Sequence, residues 1–253
     1  MNQSNPYIKN LNRIEFVVTM ACTGHCKHCS EGDRRFHTGH IDADVAADAI
    51  REICAQYRIA SLMTFGGEPL IYPEVICQIH RTATEMGIPR REVITNGFFS
   101  KDKKRIRAVA ESLASSGVRE ILLSVDAFHQ ETIPLDPVKY FAASVKDCGI
   151  SVKLSPAWLR CETDKNPYNI QTKEILNAFA DLKIPVGEGN IIFPSGNARK
   201  YLHEYFDAHT EYIHPYAEDP QDVRTVCFSP GGKVLNGNIY QNNISEIISA
   251  YKP

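Results

Sequence analysis

Short apolar runs alternate with longer amphipathic stretches along most of the chain. The runs cover residues 14–19, 61–65, 92–95, 120–125, 151–155 and roughly 189–193. Each is short, rich in Val, Ile or Leu, and bounded by polar residues or glycine, which predicts strands. Between them, Val45, Ile50, Ile53 and Tyr57 share one helical face, as do Val75, Ile79, Ala83 and Met86. Ile106, Val109 and Leu113 form a third stripe, and Val138, Phe141, Ala142 and Val145 a fourth. A fifth helix is expected near 172–182, and Gly87, Gly117 and Gly149 stand where helices would stop.

Strands alternating with helices predict an α/β fold of parallel βαβ units with right-handed crossovers. Periodicity leaves two architectures open, a doubly wound sheet and a partial or full barrel. A full eight-fold barrel takes about 250 residues. Here the alternation fades after Phe193, so six units fit better. In either architecture, ligands gather at the C-terminal ends of the strands.

After Arg199 the pattern changes. Tyr201, Tyr205, Tyr212 and Tyr216 crowd together with His203, His209 and His214, without a period; a lid, a peptide surface or a dimer surface would each suit them. Pro230-Gly231-Gly232 and Asn236-Gly237 predict a hairpin or turn pair within 226–241, and 244–251 reads as a short closing helix. The expected division is therefore 1–199 as a core and 200–253 as a C-terminal extension.

The 253 residues are 43% hydrophobic and 23% charged, which excludes a disordered or fibrous chain. The net charge of −2 carries no basic cluster, so no nucleic-acid partner is expected. No apolar run reaches the ~18 residues of a membrane span, and residues 1–12 lack a signal-peptide core. No membrane association and a cytoplasmic location are the expectation. There the eight cysteines are reduced, and clustered ones point to metal or catalysis.

Cys22, Cys26 and Cys29 are such a cluster, spaced Cys-x3-Cys-x2-Cys directly after the first strand. Three thiolates on one tight loop can ligate one soft metal, or three irons of a cubane cluster. A closed zinc site needs a fourth ligand, and His25, His28, His37 and His40 are nearby candidates. Position favours the cluster, because the loop sits at the catalytic end of the sheet and leaves one iron for an outside ligand. Gly66 and Gly67 after the second strand let a ligand approach the backbone, and Glu68 offers a carboxylate for an ammonium group. Otherwise these residues form an ordinary turn.

With Gly66-Gly67-Glu68-Pro69, Thr95-Asn96-Gly97 and Ser124-Val125-Asp126 at successive strand ends, the sequence resembles the radical S-adenosylmethionine enzymes over residues 13–199. The resemblance implies a partial (β/α)6 TIM-like barrel, with a 4Fe–4S cluster on Cys22, Cys26 and Cys29 and S-adenosylmethionine as second cofactor. His28 occupies the place before the last cysteine, where the family has an aromatic residue near the adenine. The segment 66–68 would hold the methionine amino group, Ser124 and Asp126 the ribose hydroxyls, and Asn96 a further contact. Lys153 would meet the cosubstrate carboxylate if its side of the strand faces the interior, and backbone near Ile192 would meet the adenine. Helix capping and turn formation are the alternative roles for Asn96, Ser124 and Asp126.

The implied activity is an oxidoreductase reaction. The cosubstrate is cleaved reductively to methionine and a 5′-deoxyadenosyl radical, which takes hydrogen from a peptide or small-molecule substrate. A reduced flavodoxin or ferredoxin is the implied electron donor. Substrate candidates near the strand ends are His129, Trp158 and Arg160, alongside Phe128 and Gln130. The segment 194–199 and the stretch from Cys227 to Gly237 resemble the SPASM or twitch extension of peptide-modifying members. With Cys227 its lone cysteine, that extension reads as degenerate, without an auxiliary cluster. Cys54, Cys77 and Cys148 read as core residues. Two other readings are a glycyl-radical enzyme activase and a non-enzymatic zinc or iron–sulfur binding module.

Overall fold

A computed structural model describes residues 5–34, 37–207, 212 and 217–253. In chain order the strands are β1 (Arg13–Thr19), β2 (Ser61–Gly66), β3 (Arg90–Thr95), β4 (Glu120–Ser124), β5 (Ser151–Ser155), β6 (Ala157–Trp158), β7 (Asn190–Ile191), β8 (Thr225–Phe228), β9 (Lys233–Val234) and β10 (Gly237–Asn238). The α-helices are α1 (Ala43–Cys54), α2 (Pro73–Glu85), α3 (Lys103–Ser115), α4 (Ala127–Gln130), α5 (Leu135–Asp147), α6 (Pro167–Asn177), α7 (Gly196–Tyr201) and α8 (Ile244–Ala250).

Six strands form one all-parallel sheet in the order β5-β4-β3-β2-β1-β8. The helices α1, α2, α3 and α5 pack side by side against it. The predicted stripe of α3, Ile106, Val109 and Leu113, is buried, and in α1 Ile50 and Ile53 are buried with Ala46 and Ala49, while Val45 and Tyr57 are half-buried and Met86 after α2 is exposed. Each large side chain so buried contributes about 1.5–3 kcal/mol. Asp42 and Asp102 start these helices by accepting backbone N–H bonds from Asp44 and Val45, and from Lys104. The architecture is the partial, open form of a parallel barrel; no closed barrel forms among the described residues.

The sixth predicted run lies beside the fifth strand, but as a broken ladder. Leu154 bridges Val186, and only Asn190–Ile191 pairs as a strand, with Ala157–Trp158. Pro156 removes a ladder donor between β5 and β6. Gly189 at φ +75° approaches so closely that a β-carbon there would stand 2.2 Å from the Pro156 carbonyl. The fifth helix begins earlier than expected because Asn166 caps it through the Asn169 N–H and Pro167 takes its first turn.

The segment after residue 200 does not stand apart. β8, expected inside a hairpin, joins the sheet parallel to β1, with Phe228 stacked on Phe16 at 4.7 Å. The hairpin is confined to β9 and β10. Ile244, Ile247 and Ile248 of α8 enter the main core, and Asn5 Nδ2 donates to the carbonyls of Ile248 and Tyr251. His209, His214 and Tyr216 lie outside the described residues. Cys77 is buried, and Cys54 and Cys148 pack against the core, as read from the sequence.

Candidate active site

The segment between β1 and α1 carries Cys22, Cys26 and Cys29 over the C-terminal ends of the strands. The Cys29 N–H closes a turn onto the Cys26 carbonyl at 3.2 Å. Thr23 Oγ1 donates to the Phe98 carbonyl at 2.7 Å, and Thr132 Oγ1 accepts from the His25 N–H at 3.1 Å. Lys27 pairs with Glu131 at 2.9 Å. The loop is thus pinned to the ends of β3 and α4, and its three cysteines line one cavity of about 590 Å³. Burial pushes the Cys22 thiol up to about 11, and the Cys26 thiol well above its ordinary 9.0. Coordination to a metal overrides such a rise, because the metal is the larger local charge.

Gly66 and Gly67 line the cavity, and their missing side chains make room for the cysteine loop itself. A β-carbon on Gly66 would stand 2.4 Å from the Thr19 carbonyl oxygen, and one on Gly67 1.9 Å from that of Ala21. The bare backbone instead donates from Gly67 N to Thr19 O and from Glu68 N to Ala21 O, both at 2.7 Å. Glu68, expected at an ammonium group, is fully buried and outside the cavity lining. Its oxygens accept from Thr95 Oγ1 at 2.6 Å, Leu70 N at 2.9 Å and Asn96 N at 2.8 Å. Burial pushes its carboxyl up to about 7 against the pull of those donors. Glu68 therefore ties the end of β2 to the end of β3. Asn96, expected at the cosubstrate, lines the cavity and aims its amide at Cys22 Sγ, 3.7 Å away.

Ser124, Asp126 and His129 also line the cavity. Asp126 is fully buried. Its Oδ1 caps α4 through the His129 N–H at 2.9 Å, and its Oδ2 meets His129 Nδ1 at 2.8 Å and the Ala157 N–H at 3.0 Å. Burial alone would raise the Asp126 carboxyl, but the facing His129 outweighs it and holds it at about 2. Burial alone would lower His129, and the Asp126 charge reverses that, leaving it above the ordinary 6.5. Three protein donors thus already meet the Asp126 oxygens. His28 packs edge-on against His129 at 4.8 Å and beside Phe128 at 5.0 Å. Burial lowers its imidazole to about 4, and its Nδ1 has no partner.

Lys153, Trp158 and Arg160 stand outside the cavity lining. Lys153 does face the interior side of the sheet, but its ammonium lies 3.8 Å from Glu120, the first residue of β4, away from the cavity lining. Two residues along a strand span roughly 6.6 Å, and Ser155 takes the cavity position instead. Trp158 is 2% exposed and donates Nε1–H to the Glu188 carbonyl at 2.8 Å, which makes it a packing anchor beside β7. Arg160 turns outward at φ +66°, to the Tyr205 carbonyl and Asp164. Ile192 does line the cavity, with its N–H spent on the Trp158 carbonyl. Cys161 and Cys227 sit on opposite edges of the fold: Cys161 rests against Thr163, and Cys227 lies in register with Glu15.

The sequence reading missed how the segment after β7 clamps the cysteine loop. Asn197 donates from N to the Cys29 carbonyl at 2.9 Å and from Nδ2 to the Cys26 carbonyl at 3.1 Å, and Ser195 Oγ donates to the Ser30 carbonyl at 3.0 Å. Gly196, at φ +49°, lies where a β-carbon would be 2.6 Å from the Cys29 carbonyl oxygen. Ser-Gly-Asn after a short apolar run was the available signal.

The donor set fits an iron–sulfur cluster held by three cysteines. Three thiols line one cavity, and one sulfur already accepts N–H bonds from Gly24 at 3.4 Å and Asn96. A Cys3His zinc site fits less well. The compact group among the described residues joins His28 and His129 to Cys26 alone, with ligand atoms within 4.8 Å of one another. His40 is held against Tyr72 and the Ile41 carbonyl.

Residues 16–148, just over half the chain, match the family described as the Radical SAM superfamily. The chain belongs to that superfamily: it is an enzyme whose cofactors are a 4Fe–4S cluster and S-adenosylmethionine. Among curated proteins it is similar to GTP 3′,8-cyclase of Moorella thermoacetica, 24% identical over 127 residues that make up 49% of this chain and 37% of that protein. GTP 3′,8-cyclase of Geobacter sulfurreducens is 25% identical over 126 residues, with the same coverage. The matched segment spans little more than a third of these curated relatives. The fold resembles Streptococcus suis SuiB, solved with its precursor peptide SuiA, at a TM-score of 0.60 and 12% identity, covering 95% of this chain and 65% of that one. It also resembles anSMEcpe with bound AdoMet, at 0.59 and 12% identity, covering 94% of this chain and 80% of that one. No described helix is long and apolar enough to cross a membrane.

Proposed function

We propose that this enzyme modifies a peptide substrate by hydrogen abstraction. When bound, the cluster and S-adenosylmethionine supply one-electron cleavage and hydrogen-atom transfer. Cys22, Cys26 and Cys29 would hold the cluster. Gly66, Gly67, Asn96, Ser124 and Ile192 would form the wall against which the cosubstrate lies. His28, Asp126 and His129 would border the substrate space, and His129, fixed by the Asp126 carboxylate, is placed to orient a polar group or to move a proton at its free nitrogen.

The observation that carries the reading is the convergence of the cysteine triplet and the ends of β2, β3 and β4 on one cavity. The peptide reading is supported by the rim. β7 pairs with β6 on one side, and no described strand pairs with it on the other. Ile191 on that edge is 50% exposed and Tyr201 47% exposed, and both line the cavity mouth. An extended chain can add to such an edge and lay one side chain over the opening. The likeness to SuiB and anSMEcpe agrees in fold alone. Residues 1–199 would be the catalytic core and 200–253 its extension; a reduced flavodoxin or ferredoxin would supply the electron, and a cytoplasmic location would suit that chemistry.

The test is anaerobic. The reconstituted protein is mixed with dithionite, S-adenosylmethionine and a library of extended peptides, and 5′-deoxyadenosine and peptide mass are followed. The expected result is peptide-stimulated 5′-deoxyadenosine with a matching peptide mass change, lost in the Cys22→Ala, Cys26→Ala, Cys29→Ala variant. Stimulation by a glycyl-radical protein or a small metabolite, with none by peptides, would overturn the peptide reading.

A further inference from the structure

Arg34 is a buried cation in the cavity wall with hydrogen-bond donors to spare. It follows Cys29 by five positions, and a turn through Gly32 at φ +83° brings the chain back. Arg34 is 8% exposed, and its Nε and Nη1 have no hydrogen-bond partner. Buried guanidinium groups are normally paired or fully hydrogen-bonded, because desolvation is costly. The wall is therefore built for negative charge that arrives from outside the polypeptide.

The cavity's other cations are occupied or at its rim. Lys27 is paired with Glu131, and Lys200 lies over the Tyr201 ring. Arg34 shares the cavity wall with all three cysteines. Around the sulfurs, Cys22 Sγ accepts from the Gly24 N–H at 3.4 Å and the Asn96 amide at 3.7 Å. The cavity wall thus offers both an unpaired cation and N–H donors to the cysteine sulfurs.

We propose that Arg34 is the buried counter-cation of the iron–sulfur cluster, and that with the Gly24 N–H and the Asn96 amide it raises the cluster's reduction potential. This rests on the triplet holding the cluster. Three thiolates make the assembly anionic, and reduction adds a further negative charge. A cation in a poorly solvated wall therefore stabilises the reduced form more than the oxidised one. Arg34 acts here as a positioning residue through the field at the cysteine sulfurs.

The test is a redox titration followed by electron paramagnetic resonance on the full reconstituted chain, without S-adenosylmethionine. Wild type is compared with Arg34→Gln and Arg34→Lys, and iron is measured in each. With equal iron, the reduced-to-oxidised ratio of Arg34→Gln at the wild-type midpoint should fall about tenfold, a shift of about 59 mV for a one-electron couple. Arg34→Lys, which keeps the charge, should stay within about threefold, roughly half that shift. An Arg34→Gln midpoint equal to wild type at full iron would overturn the proposal. If calorimetry on the same loaded proteins also showed weakened S-adenosylmethionine binding beside that unshifted midpoint, Arg34 would be assigned to a carboxylate instead. Should Arg34→Gln fail to take up iron, Arg34→Lys decides: a loaded cluster at the wild-type potential supports the proposal, and a tenfold fall overturns it. A wild type that takes up no iron would instead refute the cluster reading, which separates the two failures.

Discussion

Gly67 lies against Ala21 so closely that a β-carbon would sit 1.9 Å from the Ala21 carbonyl oxygen, the same oxygen that accepts the Glu68 N–H at 2.7 Å. The glycine pair is therefore a backbone lock between β2 and the cysteine loop. Gly67→Ala should push the loop off β2. Overpacking of this kind costs about 1–3 kcal/mol, a fall of several degrees in Tm at this size. Iron content after reconstitution should fall well below wild type. A variant with normal Tm and full iron would show that the loop is not held there.

The clamp from α7 acts on the other side of the same loop. Asn197→Ala removes the bond from Nδ2 to the Cys26 carbonyl but keeps the backbone bond to Cys29. A single such bond contributes about 1 kcal/mol net, so the fold should survive. The cluster should be lost to a chelator several times faster than from wild type, measured as iron release over time. An unchanged release rate would reduce Asn197 to a surface contact.

The strand positions and helix faces were legible because alternating burial leaves a period that a sequence displays. Ser151–Ser155 falls on the predicted apolar run, and the stripe of Ile106, Val109 and Leu113 is buried. The cysteine spacing, the glycine pair and the polar strand ends marked the site. Direction along a strand was not legible. Lys153 and Ser155 share a face, yet one reaches Glu120 and the other lines the cavity. Nor was partner choice: Asp126 read as a ligand group or a helix cap, and nothing in the sequence said that its carboxylate also meets the His129 ring and the Ala157 N–H. Long-range strand pairing was hidden too, since nothing local in Thr225–Phe228 says that it lies beside β1.

His80 offers a pH prediction remote from the cavity. It is fully buried on α2, its Nε2 bonds Thr64 Oγ1 at 3.0 Å, and its Nδ1 has no partner. Burial, with Arg91 nearby, lowers its imidazole from the ordinary 6.5 to about 3. The unfolded chain then binds a proton that the folded chain refuses between these values. The stability contributed by neutral His80 is present above pH 6.5 and is lost as pH falls toward 3, at up to ~1.4 kcal/mol per pH unit. In urea titrations between pH 7 and 5, the paired variant His80→Leu, Thr64→Val should lose that part of the slope. An unchanged slope would mean that His80 is already charged or solvated.

Asp126→Asn tests the buried pair beside the cysteines. The amide keeps the shape but removes the charge that fixes His129, and it puts an NH2 or an oxygen against the Ala157 N–H. Removing one member of a buried pair costs on the order of 3–5 kcal/mol when the other stays charged. Here His129 can shed its proton, so the loss should be smaller, about 1–3 kcal/mol, the cost of an unsatisfied buried group. Peptide-dependent turnover should fall at least tenfold while iron content stays near wild type. Loss of iron and turnover together would show that Asp126 supports the loop rather than the substrate space.

Lys153 is the counter-test, because strand alternation alone would place it at the cosubstrate. Its ammonium lies 3.8 Å from Glu120 and its side chain is 44% exposed, so the pair is a solvent-screened contact. Such a pair contributes about 0–1 kcal/mol. Lys153→Gln should therefore shift stability by less than about 1 kcal/mol. Calorimetry on the reconstituted protein should give S-adenosylmethionine affinity within about twofold of wild type, since a lost direct charge-assisted bond of about 1.5–3 kcal/mol would weaken it by more than tenfold. A tenfold weakening would mean that Lys153 swings from Glu120 to the cosubstrate when it binds. Ser155, two residues further along β5 and in the cavity wall, would then be only its neighbour in the site.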